Sequence, residues 1–214
     1  MSPIGHNGSA PSPFSVVGIV ASLGGLEAVS TVLGGLPERL PVPVFVAVHS
    51  RRTGSADGLV QVLQRACALP VRGLVDGDAM PRLGVSVIPS GYATEVRSGR
   101  VRLTPGPGWS DGDALLASIA TWAGPAPIGV ILTGLQRDGT AGARAVKRAG
   151  GRVIAQDPTT ARGPSMPASA IATGCVDYVL PVSHVAPALV ALTMARGAAE
   201  LLAVPTPSWA QLHP

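Results

Sequence analysis

Along most of the chain, short apolar runs that end abruptly alternate with longer stretches whose apolar residues recur at helical spacing, a pattern that predicts a succession of βα units. Residues 15–21 form the first run. It stops at Ser22, which is followed closely by Gly24 and Gly25, and helical spacing resumes over 26–36, so Ser22 is placed at a strand-to-helix turn. A second run over 41–49 (PVPVFVAVH) is rich in β-formers and ends on His49. A helix over 55–66 follows, with Leu59, Val62, Leu63 and Ala66 on one face. The third strong run, 127–133 (PIGVILT), leads into the turn 134–139 and a helix over 140–149.

The texture changes over 76–102. There Gly77, Gly84, Pro89, Gly91 and Gly99 punctuate short runs such as Val85-Ser86-Val87-Ile88, which predicts hairpins inserted between the βα units. A loop over 105–111 precedes a helix over 112–123 with Leu115, Leu116, Ile119 and Ala120 facing inward. Beyond residue 150 the pattern gives a strand over 152–155, a loop through Asp157 and Pro164, a short helix over 167–172, a strand over 176–180 and a last helix over 183–196. Strands alternating with helices imply right-handed crossovers. The predicted fold is therefore α/β, a doubly wound, mostly parallel sheet with helices on both faces and a small antiparallel hairpin insertion.

Composition narrows the class. With 214 residues, 46% of them hydrophobic, there is material for one large core, and neither a repeat nor a linker divides the chain. Residues 14–196 read as a single domain. Residues 1–13, rich in Ser, Pro and Gly and without the basic and apolar regions of a signal peptide, read as a disordered tail, and 197–214 as a Pro-containing C-terminal tail. No apolar stretch approaches ~18 uninterrupted residues, so no membrane insertion is expected and the expected compartment is the cytoplasm. The excess of 16 Lys and Arg over 12 Asp and Glu is small and spread along the chain, and aromatics make up only 3%, which argues against a nucleic-acid partner. Cys67 and Cys175 are far apart and lack metal-ligand or redox spacing, so no disulfide, metal or other cofactor is expected.

In an open parallel sheet, chemistry collects just outside the carboxyl ends of the strands. Ser22, His49 and Asp138 stand at three such ends. A serine hydroxyl is a weak nucleophile until a base takes its proton, and the base works best when a buried carboxylate fixes its tautomer and stabilises the imidazolium. Each residue also has a plainer explanation: Ser22 could cap a helix, His49 could be a satisfied core histidine, and Asp138, before Gly139, could be a turn residue or cap the helix at Thr140. Their joint placement favours the catalytic reading. His6 and His213 fall in the tails and His184 at a helix start. The turn at Ser22 is neither G-x-S-x-G, because Val20 takes the first glycine position, nor G-x-G-x-x-G.

A set of motifs extends this reading: Ala21-Ser22-x-Gly24-Gly25, Val48-His49, Pro89 at the close of a strand, Val130-Ile131-Leu132-Thr133-Gly134-x-x-x-Asp138-Gly139, Ala155-Gln156-Asp157, Met166-Pro167-x-x-Ala170-Ile171 and Gly174-x-Val176-Asp177. In this order and spacing, over about residues 16–192, they resemble the catalytic domain of the chemotaxis protein-glutamate methylesterases, the CheB family. The resemblance implies a Ser–His–Asp triad at Ser22, His49 and Asp138. It also implies hydrolysis of glutamate γ-methyl esters on the helical cytoplasmic signalling domains of chemoreceptors, with release of methanol, and commonly deamidation of particular glutamines there. Methylated chemoreceptor helices, or a related signalling protein, are the implied partners. Backbone N–H groups near Leu23 or Leu135 are the expected oxyanion donors.

The chain departs from the family pattern at defined points. Leu23 replaces a threonine after the nucleophile, Val48 a glutamine before the histidine, and Gln136 a glycine; the stretches 160–167 and 109–113, the latter with Trp109, also differ. These changes bear on substrate identity and efficiency more than on fold. They support a second reading, a catalytically weak domain that binds signalling helices, against which the intact Ser, His and Asp argue. A nucleotide-binding module would need a fingerprint or Walker pattern that is absent. The receiver domain that usually precedes the family's catalytic domain has no counterpart in this sequence, so indifference to phosphodonors is expected.

Overall fold

Seven strands, parallel wherever they pair, form the central sheet in the order β3-β4-β2-β1-β7-β8-β9. The computed structural model describes residues 12–49, 56–106, 111–122, 126–195 and 197–198. Residues 1–11 and 199–214 of the two expected tails, Ser55 and the loop 107–110 with Trp109 lie outside the described residues.

β1 (Phe14–Ala21) sits in the middle of the sheet between β2 (Val44–Val48) and β7 (Ala126–Ile131). Its side chains are apolar on both faces because both faces are covered, as a parallel strand requires. Val17, Ile19 and Ala21 join the core layer under α1 (Gly25–Gly34) and α6 (Val182–Met194), with Val29, Val32, Leu33, Val185 and Leu189. Val16 and Val20 join the opposite layer under α3 (Asp111–Thr121), α4 (Thr140–Arg148) and α5 (Ser165–Ile171), with Leu115, Leu116, Ile119, Val146 and Met166. α2 (Asp57–Ala66) packs its Leu63 on the first side. Strand order reverses around β1, so the site-forming strand ends gather at the switch point of the fold.

The predicted hairpin region resolves into two parts, and one expectation is corrected. Val85-Ser86-Val87 is not hairpin: it is β4 (Val85–Val87), a fully buried parallel strand between β2 and β3 (Val71–Gly73). Both strands have only three residues, too few for an alternating pattern to register, and the edge strand β3 was missed altogether. The expected hairpin is β5 (Tyr92–Arg97) with β6 (Arg100–Pro105), antiparallel and closed by Ser98 and Gly99. Both turn residues have positive φ, 50° and 71°, as a type I′ turn requires. β8 (Arg152–Gln156) and β9 (Tyr178–Leu180) complete the sheet. Among the described residues no helix is long and apolar enough to cross a membrane.

One ion pair ties the far side of the fold together. Lys147 of α4 meets the Asp177 carboxylate, both side chains almost wholly buried, and the second Asp177 oxygen accepts the Val153 N–H at 2.8 Å. A buried pair of this kind is costly to break, because the partner left behind is a buried charge. Lys147→Met should lower unfolding free energy by about 3–5 kcal/mol. Lys147→Met/Asp177→Asn should regain part of that, since the amide is neutral and still accepts from Val153. Urea melts of the three proteins check this; a single mutant as stable as wild type contradicts it.

Candidate active site

The site is built where β1, β2 and β7 end together. Strand register pairs Ala21 with Val48 and Val20 with Ile131. The pairing continues one step beyond: the His49 N–H donates to the Ala21 carbonyl at 2.9 Å, and the Ser22 N–H donates to the Thr133 carbonyl at 2.9 Å. Ser22 and His49 are therefore successive-residue neighbours on adjacent strands, whose backbones run ~4.8 Å apart. After Ser22 the chain reverses through Gly24, at φ 75°, and the Gly25 N–H closes the turn on the Ser22 carbonyl at 2.8 Å before α1 begins. Ser22 is left half-buried at the rim.

Asp138 completes the constellation from the β7 side. Its Oδ2 lies 2.9 Å from His49 Nε2, with the two side chains 2% and 13% exposed, so water competes little for the contact. The same carboxylate caps a helix, but α3 and not the α4 considered from sequence. Oδ2 accepts the Gly112 N–H and Oδ1 the Asp113 N–H, each at 2.9 Å, in the first turn of α3. Those N–H groups carry the positive end of the helix dipole, which favours a carboxylate there. Glycine is required at 112, because a Cβ there would collide with Asp138 Oδ2 and lie 3.1 Å from the Val20 Cβ. Asp113 reciprocates by accepting the Gly142 N–H of α4 at 2.7 Å. Burial first, and then the neighbouring Asp138 charge, pushes the Asp113 carboxyl above its usual range, against the pull of that N–H.

Thr133 holds the third wall. Its hydroxyl donates to the Leu23 carbonyl at 2.9 Å and accepts the Gly163 N–H at 2.7 Å, while its own N–H donates to Gln156 Oε1 at 2.9 Å. One residue thus joins the Ser22 turn, the β7 loop and the loop before α5. Gly134 then passes so close that a Cβ would lie 2.9 Å from the Ser22 Cβ and clash with the Met166 sulfur. Among the described residues the amides of Leu23 and Leu135 donate to no protein acceptor; Leu23 follows Ser22 directly, and Leu135 follows Gly134, which packs against Ser22. Leu23 and Leu135 also expose their side chains, forming an apolar rim.

The structure brings all three sequence-selected residues to one sheet edge. It adds Gly112, Asp113, Thr133 and Gln156 as supports. Thr133 and Gln156 lay within the quoted motifs, but nothing in the sequence showed that Thr133 would bridge three loops. Gly112 and Asp113 could not be linked to Asp138 because the contact spans more than 20 residues. Among the described residues no group of three His, Cys, Asp or Glu side chains could hold a metal ion.

The CheB methylesterase family profile matches residues 17–189. The chain is 39% identical over 184 residues to the protein-glutamate methylesterase FrzG of Myxococcus xanthus, covering 84% of this chain and 55% of that protein. It is 36% identical over 198 residues to a protein-glutamate methylesterase/protein-glutamine glutaminase of Rhizobium meliloti, covering 90% and 55%. The crystal structure of the Thermotoga maritima CheB methylesterase catalytic domain superposes with a TM-score of 0.76 at 31% identity, covering 84% of this chain and 99% of that one. This chain belongs to the CheB methylesterase family. It spans about half the length of the curated relatives it matches. The Thermotoga maritima domain confirms the doubly wound sheet with its antiparallel pair as the CheB catalytic-domain fold.

Within the CheB frame the departure at Gln136 acquires a physical meaning. Gln136 is exposed and has φ 74°, a left-handed conformation that costs a non-glycine residue ~1–2 kcal/mol. The backbone of the loop is thus of the kind a glycine serves, and Gln136 occupies it under strain. Gln136→Gly should raise stability by about 0.5–1 kcal/mol, the strain removed less the ~0.4–1 kcal/mol of added freedom in the unfolded chain. A urea midpoint at or below wild type contradicts this. Gly112→Ala should fold yet lose at least ~100-fold in turnover, because Asp138 must move and an ångström-scale displacement costs about that much. Wild-type-like rates in this variant would remove the close approach from the account.

Proposed function

We propose that this chain is a serine hydrolase acting as a protein-glutamate methylesterase, with Ser22, His49 and Asp138 as its catalytic residues and residues 14–196 as the catalytic unit. The observation that carries this is the buried Asp138 carboxylate 2.9 Å from His49 Nε2, beside the strand end that carries Ser22. With Nε2 turned to Asp138, Nδ1 is the ring nitrogen assigned to the serine proton. Ser22 Oγ attacks the γ-carbonyl of the ester as His49 takes its proton, and Asp138 stabilises the resulting imidazolium. The Leu23 and Leu135 amides hold the oxyanion. His49 then protonates the departing methoxide, methanol leaves, and a water activated by His49 releases the glutamate carboxylate from Ser22.

The substrates in this reading are methylated glutamates on the cytoplasmic helices of a chemoreceptor or related signalling protein, reached in the cytoplasm without a cofactor. A glutamine side chain could follow the same acyl route with ammonia as the leaving group, and the Rhizobium meliloti and Moorella thermoacetica relatives carry the glutaminase name beside the methylesterase one. The exposed Leu23 and Leu135 suit contact with a protein surface rather than enclosure of a small ester.

Methanol release from methylated receptor membranes, wild type beside Ser22→Ala, tests the proposal directly. Ser22→Ala and His49→Ala should each remove nearly all turnover, and the double variant should be hardly worse than either, because the residues act as a unit. Asp138→Asn should lose roughly four orders of magnitude, since an amide can hold the imidazole in the wrong tautomer. Strictly additive losses, or a robust rate in Ser22→Ala, contradict the assignment.

A further inference from the structure

An arginine that the Ser–His–Asp constellation does not use stands beside the Ser22 turn. Arg162 belongs to the segment between β8 and α5, which is pinned on both sides of it. The Thr160 carbonyl accepts from Gln156 Nε2 at 3.0 Å, the Gly163 N–H donates to the Thr133 hydroxyl at 2.7 Å, and the Gly163 carbonyl accepts the Gly134 N–H at 2.9 Å. The same Thr133 hydroxyl donates to the Leu23 carbonyl at 2.9 Å, so one group fixes the backbone beside Arg162 against the turn that carries Ser22. The Arg162 stem lies over Gly24: a Cβ at that glycine would be 2.9 Å from the Arg162 Cβ and 3.1 Å from its Cδ, the carbon that bears the guanidinium. The residue is nonetheless exposed, and among the described residues its guanidinium makes no ion pair or hydrogen bond. The acids of the adjoining elements are otherwise placed. Asp157 accepts the N–H and the hydroxyl of Thr159 in its own turn, Asp138 is held with His49, and Glu27, exposed in the first turn of α1, is not paired with Arg162.

We propose that Arg162 is a specificity-determining residue that pairs with an acidic side chain of the substrate, one helical turn from the reacting glutamate ester. The proposal rests on the methylesterase reading for the nature of that substrate. A guanidinium presents a planar pair of donors that fits a carboxylate bidentately. The spacing fits as well: Ser22 and Gly24 are at most ~7.6 Å apart along the backbone, and on a helix a residue three or four positions from the ester lies ~5–6 Å from it on the same face. Leu23 and Leu26, both exposed on the same turn and the start of α1, give such a helix an apolar surface to rest on. A helix seated there shields the ion pair from water, which strengthens it. With its stem already held over Gly24, Arg162 loses less side-chain freedom on pairing than a freely waving arginine would.

The test uses helical peptides that carry one glutamate γ-methyl ester and, four residues before it or four after it, either Glu or Gln. Wild type should hydrolyse one of the Glu peptides about fivefold better in kcat/KM than its Gln counterpart, through KM with kcat within twofold, and added salt should shrink the preference. Arg162→Gln should abolish the preference, Arg162→Lys should keep part of it, and Arg162→Glu should reverse it. A merely structural role would lower the rates on Glu and Gln peptides equally. That outcome, or a wild type with no preference at either Glu position, overturns the proposal. If wild type hydrolyses neither these peptides nor methylated receptor, the methylesterase reading fails, and the affinities of the same peptides then decide the contact. Glu-peptide binding weakened about fivefold in Arg162→Gln, with Gln-peptide binding unchanged, supports it; equal affinity of wild type for Glu and Gln peptides overturns it.

Discussion

A single carboxylate sets the geometry of this site. Asp138 sits between His49 Nε2 on one side and the two leading N–H groups of α3 on the other, in a position from which water is nearly excluded. Neither contact would suffice alone. A carboxylate buried without donors would be driven to its neutral form, and a histidine without the carboxylate would be free to choose its tautomer. The helix terminus supplies the N–H donors that satisfy both Asp138 oxygens at the place where the carboxylate meets His49. That arrangement in turn demands Gly112, because any side chain there would occupy the space the carboxylate uses.

The rest of the edge is organised by small residues and one hydroxyl. Thr133 fixes three loops through bonds of 2.7–2.9 Å, and Gly134 lets the β7 loop touch the Ser22 turn. Such close backbone approach preorganises the site at the cost of tolerance: nothing larger fits at 112 or 134. By contrast Leu23, Leu135 and Gln136 are exposed, and Leu23 and Gln136 are two of the positions at which the chain departs from the family pattern. The departing stretches 109–113 and 160–167 also supply Gly112 and Asp113, which donate to Asp138, and Gly163, which donates to the Thr133 hydroxyl.

Much of this was legible in the sequence because parallel strands announce themselves. The runs ending at Ser22, His49 and Thr133 are apolar on both faces, so their ends could be located to within a residue or two, and the fold then brought those ends together. The illegible parts were those with no local pattern. β3 and β4 are too short to show a period, and the glycines around β4 belong to turns flanking a buried strand rather than to a hairpin. The α3 cap could not be read at all, since the Asp138 contact to Gly112 joins segments 26 residues apart. Gln136 could be seen to replace a glycine, but only φ 74° shows that the position is a backbone constraint rather than a pocket wall.

The central claim, that Asp138 acts through His49 on Ser22, is tested most directly without any natural substrate. A serine-directed fluorophosphonate labels only a hydroxyl whose proton is being removed, so the rate of labelling and the site of the adduct by mass spectrometry report the activated residue. The account predicts rapid modification at Ser22 in wild type and a rate about three orders of magnitude lower in Asp138→Asn. Labelling at another serine, or an Asp138→Asn rate equal to wild type, would contradict it.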